Sequence, residues 1–150
     1  MMKKLIFKFM LLMTVAFVAT SCEKEELIGV DNLPSAADSF LKVHFKDINV
    51  LSVTRENEPL SGTEYKVLLG NRVEVKFDKN GNWAEVEALD NTVAIPTSFV
   101  LAPIVSYVKE NYPNDGINSI DKEKHGFDVE LTNALDLEFD NAGKFIRIDP

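Results

Sequence analysis

The chain contains one cysteine and two histidines among its 150 residues. A single cysteine cannot form an intrachain disulfide, and it cannot supply the several thiolates of a cysteine-based zinc or iron–sulfur site. Basic residues are also scarce, with 16 Lys and Arg against 24 Asp and Glu, and they form no run. Because phosphate contacts need clustered Lys and Arg, we expect no nucleic-acid partner.

Catalytic signatures are missing as well. The sequence has no Gly-x-Ser-x-Gly elbow, no Gly-x-Gly-x-x-Gly fingerprint and no phosphate-binding Gly-Lys-Ser loop. The two imidazoles have ordinary explanations, since His44 falls on a predicted helix at the core edge and His125 falls in a predicted hairpin turn. We therefore expect a protein that is not an enzyme and has no catalytic residues.

One stretch, Asp78 with Asn80 and Gly81, superficially resembles the start of a calcium loop. An EF-hand loop also needs a bidentate Glu at its twelfth position, where this chain has Leu89. Asp, Asn and Gly are the ordinary residues of hairpin turns, so a turn is favoured. We expect no metal site and no cofactor, and calcium is the one ion that stays open.

The amino terminus has the pattern of an export signal. Lys3 and Lys4 precede an apolar run over residues 5–18, and small residues then lead to Cys22. The run is too short for a membrane span, which needs about 20 apolar residues. Small residues followed by Cys resemble the lipobox of bacterial lipoproteins, whose cysteine is acylated. We predict a signal peptide over residues 1–21 and a lipid anchor on Cys22; the alternative is a plain secretory signal with a free thiol.

Residues 22–32 begin with the acid-rich run Glu23-Lys24-Glu25-Glu26. Such a run after the lipidated cysteine resembles a signal for export to the outer leaflet, and it is equally explained as a solvated tether. We predict an acidic tether here, with the fold starting near Leu33. The expected location is the Gram-negative cell envelope, as an outer-membrane lipoprotein that faces the periplasm or the cell surface.

The remaining chain repeats itself. The run Ser39-Phe-Leu-Lys42 corresponds to Ser106-Tyr-Val-Lys109, and further matches join the stretch after Tyr65 to the stretch after Phe127. We predict a first unit over 33–88, a linker over 89–94 and a second unit over 95–150.

Each unit reads as one helix followed by four strands. A helical apolar face begins after Pro34, where Ser35 and Asp38 suggest a capping box, and Pro113 ends the second helix. Alternating apolar residues then predict strands with one solvated face, which indicates antiparallel sheets. The predicted class is α+β, with two tandem α-β-β-β-β units whose sheets are each covered by a helix on one face. Whether the two sheets join is left open.

These features resemble the PepSY-like family, also described as β-lactamase-inhibitor-like. The resemblance rests on Pro before the helix, on Tyr65-x-Val-x-Leu and Phe127-x-Val-x-Leu, and on Phe-Asp-x-x-Gly in both units. The family comprises small exported or lipid-anchored proteins with tandem α+β units. The resemblance implies a binding or inhibitory module, and some relatives carry a calcium-related label.

Strand parity predicts a polar sheet face that carries a candidate binding surface. Its candidate residues are Glu85, Glu87, Glu130, Glu138, Trp83 and Phe145. The face is either a solvated surface kept soluble by charge, or an acidic docking surface anchored by aromatics for a basic partner. The predicted function is a non-catalytic module that binds a protein or inhibits a hydrolase. The alternative is a cation- or small-ligand-sensing periplasmic module.

Overall fold

The computed structural model describes residues 25–58 and 62–149. Within these ranges a single antiparallel sheet contains nine strands, and each strand pairs with the next in chain order. Two ten-residue helices are present, α1 (Ser35–His44) and α2 (Ala102–Asn111). The predicted α+β class is confirmed, and the open question about the sheets is answered by one continuous sheet. The strands are β1 (Glu26–Ile28), β2 (Val50–Glu58), β3 (Gly62–Leu69), β4 (Val73–Phe77), β5 (Trp83–Ala88), β6 (Ile117–Glu123), β7 (Gly126–Leu131), β8 (Asp136–Asp140) and β9 (Phe145–Asp149).

The core lies between one face of the sheet and the two helices. A straight row of buried apolar side chains crosses strands β4 to β8, since directly paired residues in adjacent strands share a face. Ala37 of α1 and Ile104 of α2 are fully buried and belong to the same apolar cluster as this row. Both helices therefore cover the same face, and neither of them lies on the other face. The row consists of Val75, Val86, Ile120, Val129 and Leu137.

The start of α1 differs from the prediction. Ser35 is the first helical residue, so Pro34 occupies the cap position and no side chain caps the helix. The predicted capping box of Ser35 and Asp38 is therefore wrong. Asp38 instead pairs with Lys42 one turn later, at 2.5 Å between carboxylate and ammonium. The second helix begins at Ala102, with Pro103 in its first turn, where its missing N–H costs nothing.

Two hairpin turns bring glycines against the helices. Gly81 has a φ of +84°, and a Cβ there would lie 2.8 Å from the backbone nitrogen of Ala37. Only glycine fits both this left-handed conformation and the close approach to α1. Asp78 shapes the same turn, because its Oδ1 accepts hydrogen bonds from the backbone N–H groups of Asn80 and Asn82. The predicted hairpin turn is thus observed at the stretch that resembles a calcium loop.

The segment between β5 and α2 is held to the sheet by a buried amide. Asn118 of β6 is 1% exposed, and its Nδ2 donates to the carbonyl oxygens of Ala88, Asp90 and Val93 at 3.3, 2.9 and 2.8 Å. Ile95 then donates its N–H to a β6 carbonyl at 2.8 Å. The predicted linker therefore lies against β6 as part of the fold.

The fold begins before Leu33. Glu26–Ile28 forms β1, which pairs with β2, and Glu26 makes a 2.5 Å ion pair with Arg55. The prediction of a tether over residues 22–32 is wrong for Glu26–Ile28, because this strand pairs with backbone groups that β2 would otherwise leave free. The predicted signal peptide and Cys22 lie outside the described residues. None of the described helices is long and apolar enough to span a membrane.

Candidate binding face

The sheet face opposite the helices, here called the open face, carries most of the charged side chains of the strands. Two lateral rows of paired residues cross it, so each member lies beside its neighbour in the next strand. The first row runs Lys66, Lys76, Glu85, Asp121, Asp128, Glu138, Arg147 from β3 to β9. The second runs Leu68, Glu74, Glu87, Ser119, Glu130, Asp136, Asp149.

The open face is acidic in its middle and basic at the two ends of the first row. Strands β5 to β8 each place a carboxylate in that row, with Glu85 directly opposite Asp121 and Asp121 opposite Asp128. Like charges placed directly opposite each other in a sheet are destabilising. The four predicted acidic candidates, Glu85, Glu87, Glu130 and Glu138, all lie on this face.

The cations neutralise only part of the row. Lys76 forms an ion pair with Glu85, and Arg147 pairs with Glu138 at 2.5 Å. Asp121 and Asp128, between these two pairs, form no ion pair with any of the residues in the described ranges. The centre of the open face therefore keeps uncompensated negative charge.

Burial and crowding act on the protonation of this centre. Burial, together with nearby Glu85, raises the pKa of Asp121 to about 6. The pKa values of Asp128 and Glu130 are also raised, first by burial and then by neighbouring carboxylates. At neutral pH Asp121 still bears most of a negative charge, in surroundings that disfavour it.

A shallow depression of about 230 Å³ lies on the acidic half of the open face. Seven of its lining residues are polar or acidic: Ser119, Asp121, Asp128, Glu130, Asp136, Glu138 and Asp149. Their carboxylates are spread over four strands, β6 to β9, and no group of three or more His, Cys, Asp or Glu converges on a metal position among the described residues. The geometry suits an extended contact with a cationic surface better than chelation of one ion.

The two aromatic candidates lie on the other side of the sheet. Trp83 is paired with the fully buried Phe77, and Phe145 stacks on Tyr107 of α2 with ring centroids 4.4 Å apart. The predicted placement of Trp83 and Phe145 on the polar face is wrong. The reason is a register shift at Lys76/Phe77 and another at Glu138/Phe139. Each β-bulge adds one residue and moves the first residue of the next strand to the helix side.

Trp83 instead contributes to an aromatic cluster on the helix side that joins the two halves of the chain. Its ring lies 6.3 Å from that of Phe40 in α1, 5.3 Å from Phe99 before α2, and 6.5 Å from Phe127 in β7. The ammonium of Lys122 lies 3.6 Å from the indole centroid. Trp83 is therefore a packing residue of the helix side and does not belong to the open face.

Asp121 is the central residue of the face and was not a sequence candidate. The register shift between Ile117 and Ser119 leaves Ile117 and Ile120 both buried although they are three residues apart. The register shift breaks the alternation of faces along β6. Counting residues along the sequence therefore does not predict which face Asp121 lies on. The one available signal is the similar spacing of Val50 and Val53 in β2, which has a register shift of its own.

The histidines show no catalytic arrangement. His44 Nδ1 lies 2.8 Å from Ser98 Oγ, and the imidazole packs on Phe40 and Phe99 at the core edge as predicted. No carboxylate hydrogen-bonds this ring among the described residues, so the pair lacks the third group that orients a base. His125 is exposed in the turn between β6 and β7, far along the chain from Ser98.

Replacing Asp121 with Asn tests the electrostatic cost of the open face. The folded-state pKa of Asp121 is raised, so the native protein binds more protons than the unfolded chain between about pH 4 and 6. Asp121 therefore lowers stability as pH rises through that window. We expect Asp121→Asn to stabilise the protein at pH 7.5 by about 1 kcal/mol, after allowance for solvent screening, with no gain at pH 4. Chemical denaturation at both pH values measures this.

The control Asp31→Asn changes the same group on the turn after β1. An equal gain in stability there, or a gain for Asp121→Asn at pH 4, would contradict the assignment.

Solved structures with the same fold come from Bacteroides. A protein from Bacteroides thetaiotaomicron, described as a "putative calcium-regulated periplasmic protein", shares 34% identity with a TM-score of 0.77, over 84% of this chain and 97% of that one. A "putative periplasmic protein" of the DUF2874 family from Bacteroides vulgatus shares 32% identity at a TM-score of 0.77, over 86% of this chain and 99% of that one. A second Bacteroides vulgatus protein, a "putative periplasmic protein of unknown function", shares 26% identity at a TM-score of 0.77, over 85% and 100%.

None of the curated proteins matches the chain. The family comparison is positive over most of the sequence, in two overlapping segments at residues 17–78 and 63–147. The matching family is described as "Putative beta-lactamase-inhibitor-like, PepSY-like", and none of these descriptions names an enzymatic activity. The predicted resemblance is confirmed, and the chain belongs to the PepSY-like family.

Proposed function

We propose that the protein is a non-catalytic envelope module that binds a protein partner through the acidic centre of its open face. The observation that carries this proposal is the row of carboxylates on four consecutive strands, Glu85, Asp121, Asp128 and Glu138. Two of them have no ion pair within the described chain.

The arrangement works against folding, which supports a role in binding. A face that needed only solubility could place lysines opposite acids, as β4 and β5 do with Lys76 and Glu85. At the centre, Asp121 instead lies between two acids. A partner that brings Lys or Arg to this face would relieve the repulsion on binding. Surfaces that oppose folding but favour binding are typical of functional sites.

The expected partner is a protein with a basic, gently convex surface, and the family description points to a hydrolase as its class. Complementary charge chiefly accelerates association and selects among partners, so binding should weaken as salt is added. The hydrogen-bonded strands hold the carboxylates at fixed spacing, which limits the ordering cost of docking.

A pair of photo-crosslinking positions tests the docking face. We expect a crosslinker at Glu87 on the open face of the full-length protein to give a heterologous adduct in envelope preparations, and one at Lys109 on α2 to give none. The adduct should disappear in Glu85→Lys/Glu130→Lys and at high salt. It should persist in Glu110→Lys/Asp31→Lys, which makes the same change in net charge away from the face. Mass spectrometry of the adduct identifies the partner. An adduct that survives the first double variant, or forms equally from Lys109, would overturn the proposal.

We propose further that the protein is an outer-membrane lipoprotein anchored through Cys22. The support is the sequence pattern of a short apolar run and small residues before Cys22, and the periplasmic descriptions of three solved relatives. More than one acyl chain on the cysteine would suffice for stable anchoring.

The anchor is tested by detergent phase partitioning of the full-length chain. We expect the wild type and the neighbouring control Glu23→Gln to enter the detergent phase and Cys22→Ala to remain in the aqueous phase. Recovery of Cys22→Ala from the detergent phase would remove the lipid anchor from the proposal.

The tandem organisation belongs to this proposal too, as two α-β-β-β-β units over 33–88 and 95–150 joined in one sheet. Equivalent positions of the two halves share unusual backbone conformations. Arg72 and Ala134 both have a φ of +62°, and Gly81 and Gly143 have φ values of +84° and +79°. These pairs support a repeat because non-glycine residues seldom adopt positive φ.

Cation sensing is the second candidate, favoured by the calcium-regulated description of one relative. A thermal-shift titration separates it from docking. Because the acidic side chains are spread across strands, we expect calcium and magnesium to raise the melting temperature equally, through screening alone. A saturable shift with calcium that clearly exceeds the magnesium shift, and that Asp121→Asn abolishes, would establish the sensor instead.

A further inference from the structure

The sheet has two edges, and they differ in what they offer a partner. Within the described chain β9 (Phe145–Asp149) pairs with β8 on one side only, so the backbone N–H and C=O groups on its other side are free. Ile146 and Ile148 on this strand are 55% and 49% exposed. The opposite edge, β1, has only three residues. A longer apolar edge strand is a template for the addition of another strand.

The charges of β9 indicate which strand fits. Arg147 and Asp149 lie two residues apart on the open face, opposite Glu138 and Asp136 of β8. In an antiparallel pair of identical strands the two-fold axis passes midway between one residue and its own copy, which lie opposite each other. An axis at Arg147 would place two guanidinium groups side by side. An axis at Ile148 places each Arg147 opposite Asp149 of the second copy and brings the two Ile148 side chains together.

We propose that two copies of this chain associate through antiparallel pairing of their β9 strands about a two-fold axis at Ile148. The pairing adds main-chain hydrogen bonds, two Arg147–Asp149 ion pairs and an apolar contact on the helix side, where Ile148 lies beside Leu137. Within the single chain Arg147 pairs with Glu138 and lies 3.8 Å from Asp149, and the side chains of Arg147 and Asp149 remain more than half exposed, so both are accessible to a second copy.

Self-pairing is favoured over pairing of β9 with β1 of another copy. A β1–β9 contact is heterologous and would continue as an open filament, whereas β9–β9 pairing closes after two copies. A two-fold axis normal to the sheet also keeps both open faces on the same side. The chain's net charge of −8 opposes this association, so added salt should strengthen the dimer, opposite to its effect on docking of a basic partner.

Disulfide trapping of the full-length chain tests both the contact and its register. In the proposed register the two copies of residue 148 have Cα atoms about 5 Å apart, within disulfide range. The two copies of residue 146 lie four residues out of register, more than about 13 Å apart. With a mild oxidant added to membranes, Ile148→Cys should give a covalent dimer several-fold above the wild-type level, which reports any contribution of Cys22. Ile146→Cys, equally exposed on the same strand, should stay at that level.

A charge exchange supplies a second test. In the Ile148→Cys background, Arg147→Asp should lower the dimer yield, and Arg147→Asp/Asp149→Arg should restore it because the cross-strand pairs are re-formed in reverse. Melting temperatures of the variants confirm that each is folded. Equal trapping at 146 and 148, strongest trapping at Arg147→Cys, or no recovery in the exchanged variant would each overturn the proposal. The docking proposal is scored on a heterologous adduct from Glu87, so either can fail alone.

Discussion

The joint between β5 and β6 is the interaction on which the rest of the structure depends. Three residue pairs join the two halves of the sheet: Glu85 with Asp121, Val86 with Ile120, and Glu87 with Ser119. Without this pairing, β5 and β6 would both be edge strands and the core row across the sheet would be interrupted. The joint also combines opposing demands, because its apolar pair is buried while one polar pair sets two carboxylates side by side.

Contacts on the helix side and in the connecting segment stabilise the joint, and they offset the repulsion between carboxylates on its open face. Trp83, Phe99 and Phe40 bring β5, the segment before α2 and α1 into one aromatic cluster, and aromatic pairs contribute about 0.5–1.5 kcal/mol each beyond their buried area. Asn118 ties the connecting segment to β6 with hydrogen bonds to the carbonyl oxygens of Asp90 and Val93. The acidic centre can therefore be tolerated because the same joint is held by packing and by hydrogen bonds that do not involve the open face.

Sequence periodicity predicts the regular parts of this fold and fails where the regularity is interrupted. Strand β4 has the bounds that alternation gives, because it is a clean run of period two between turn residues. Strands β5 and β9 also have the predicted bounds. The faces of Trp83 and Phe145 were assigned wrongly because β-bulges shift parity, and a bulge depends on the pairing partner as well as on the local sequence. The sequence pattern does not predict the short strand β1 for a related reason. Three residues are too few to show a period, and they form a strand only by pairing with β2.

The acids of the open face were predictable in type and only partly in arrangement. Counting along single strands predicts the faces of Glu85 and Glu138, but their relation to Asp121 arises from lateral register across four strands. Continuity of the sheet is a further step, because the sequence gives each half its own strands and says nothing about the pairing between them. The acidic row is thus a product of the joint and exists in neither half alone.

The position of the bulges also determines what kind of docking surface the open face can be. By moving Trp83 and Phe145 to the helix side, they remove the large aromatics that usually anchor tight interfaces. What remains is charge on a rigid lattice, with Lys76 and Arg147 bounding the acidic centre. Charge of this kind favours fast association and choice of partner more than tight binding. Tight binding would need apolar contacts from elsewhere, and the exposed isoleucines of β9 lie next to the acidic strand β8. A pair of chains joined at Ile148 would present two acidic centres side by side, and two-point attachment to one basic partner would then raise affinity.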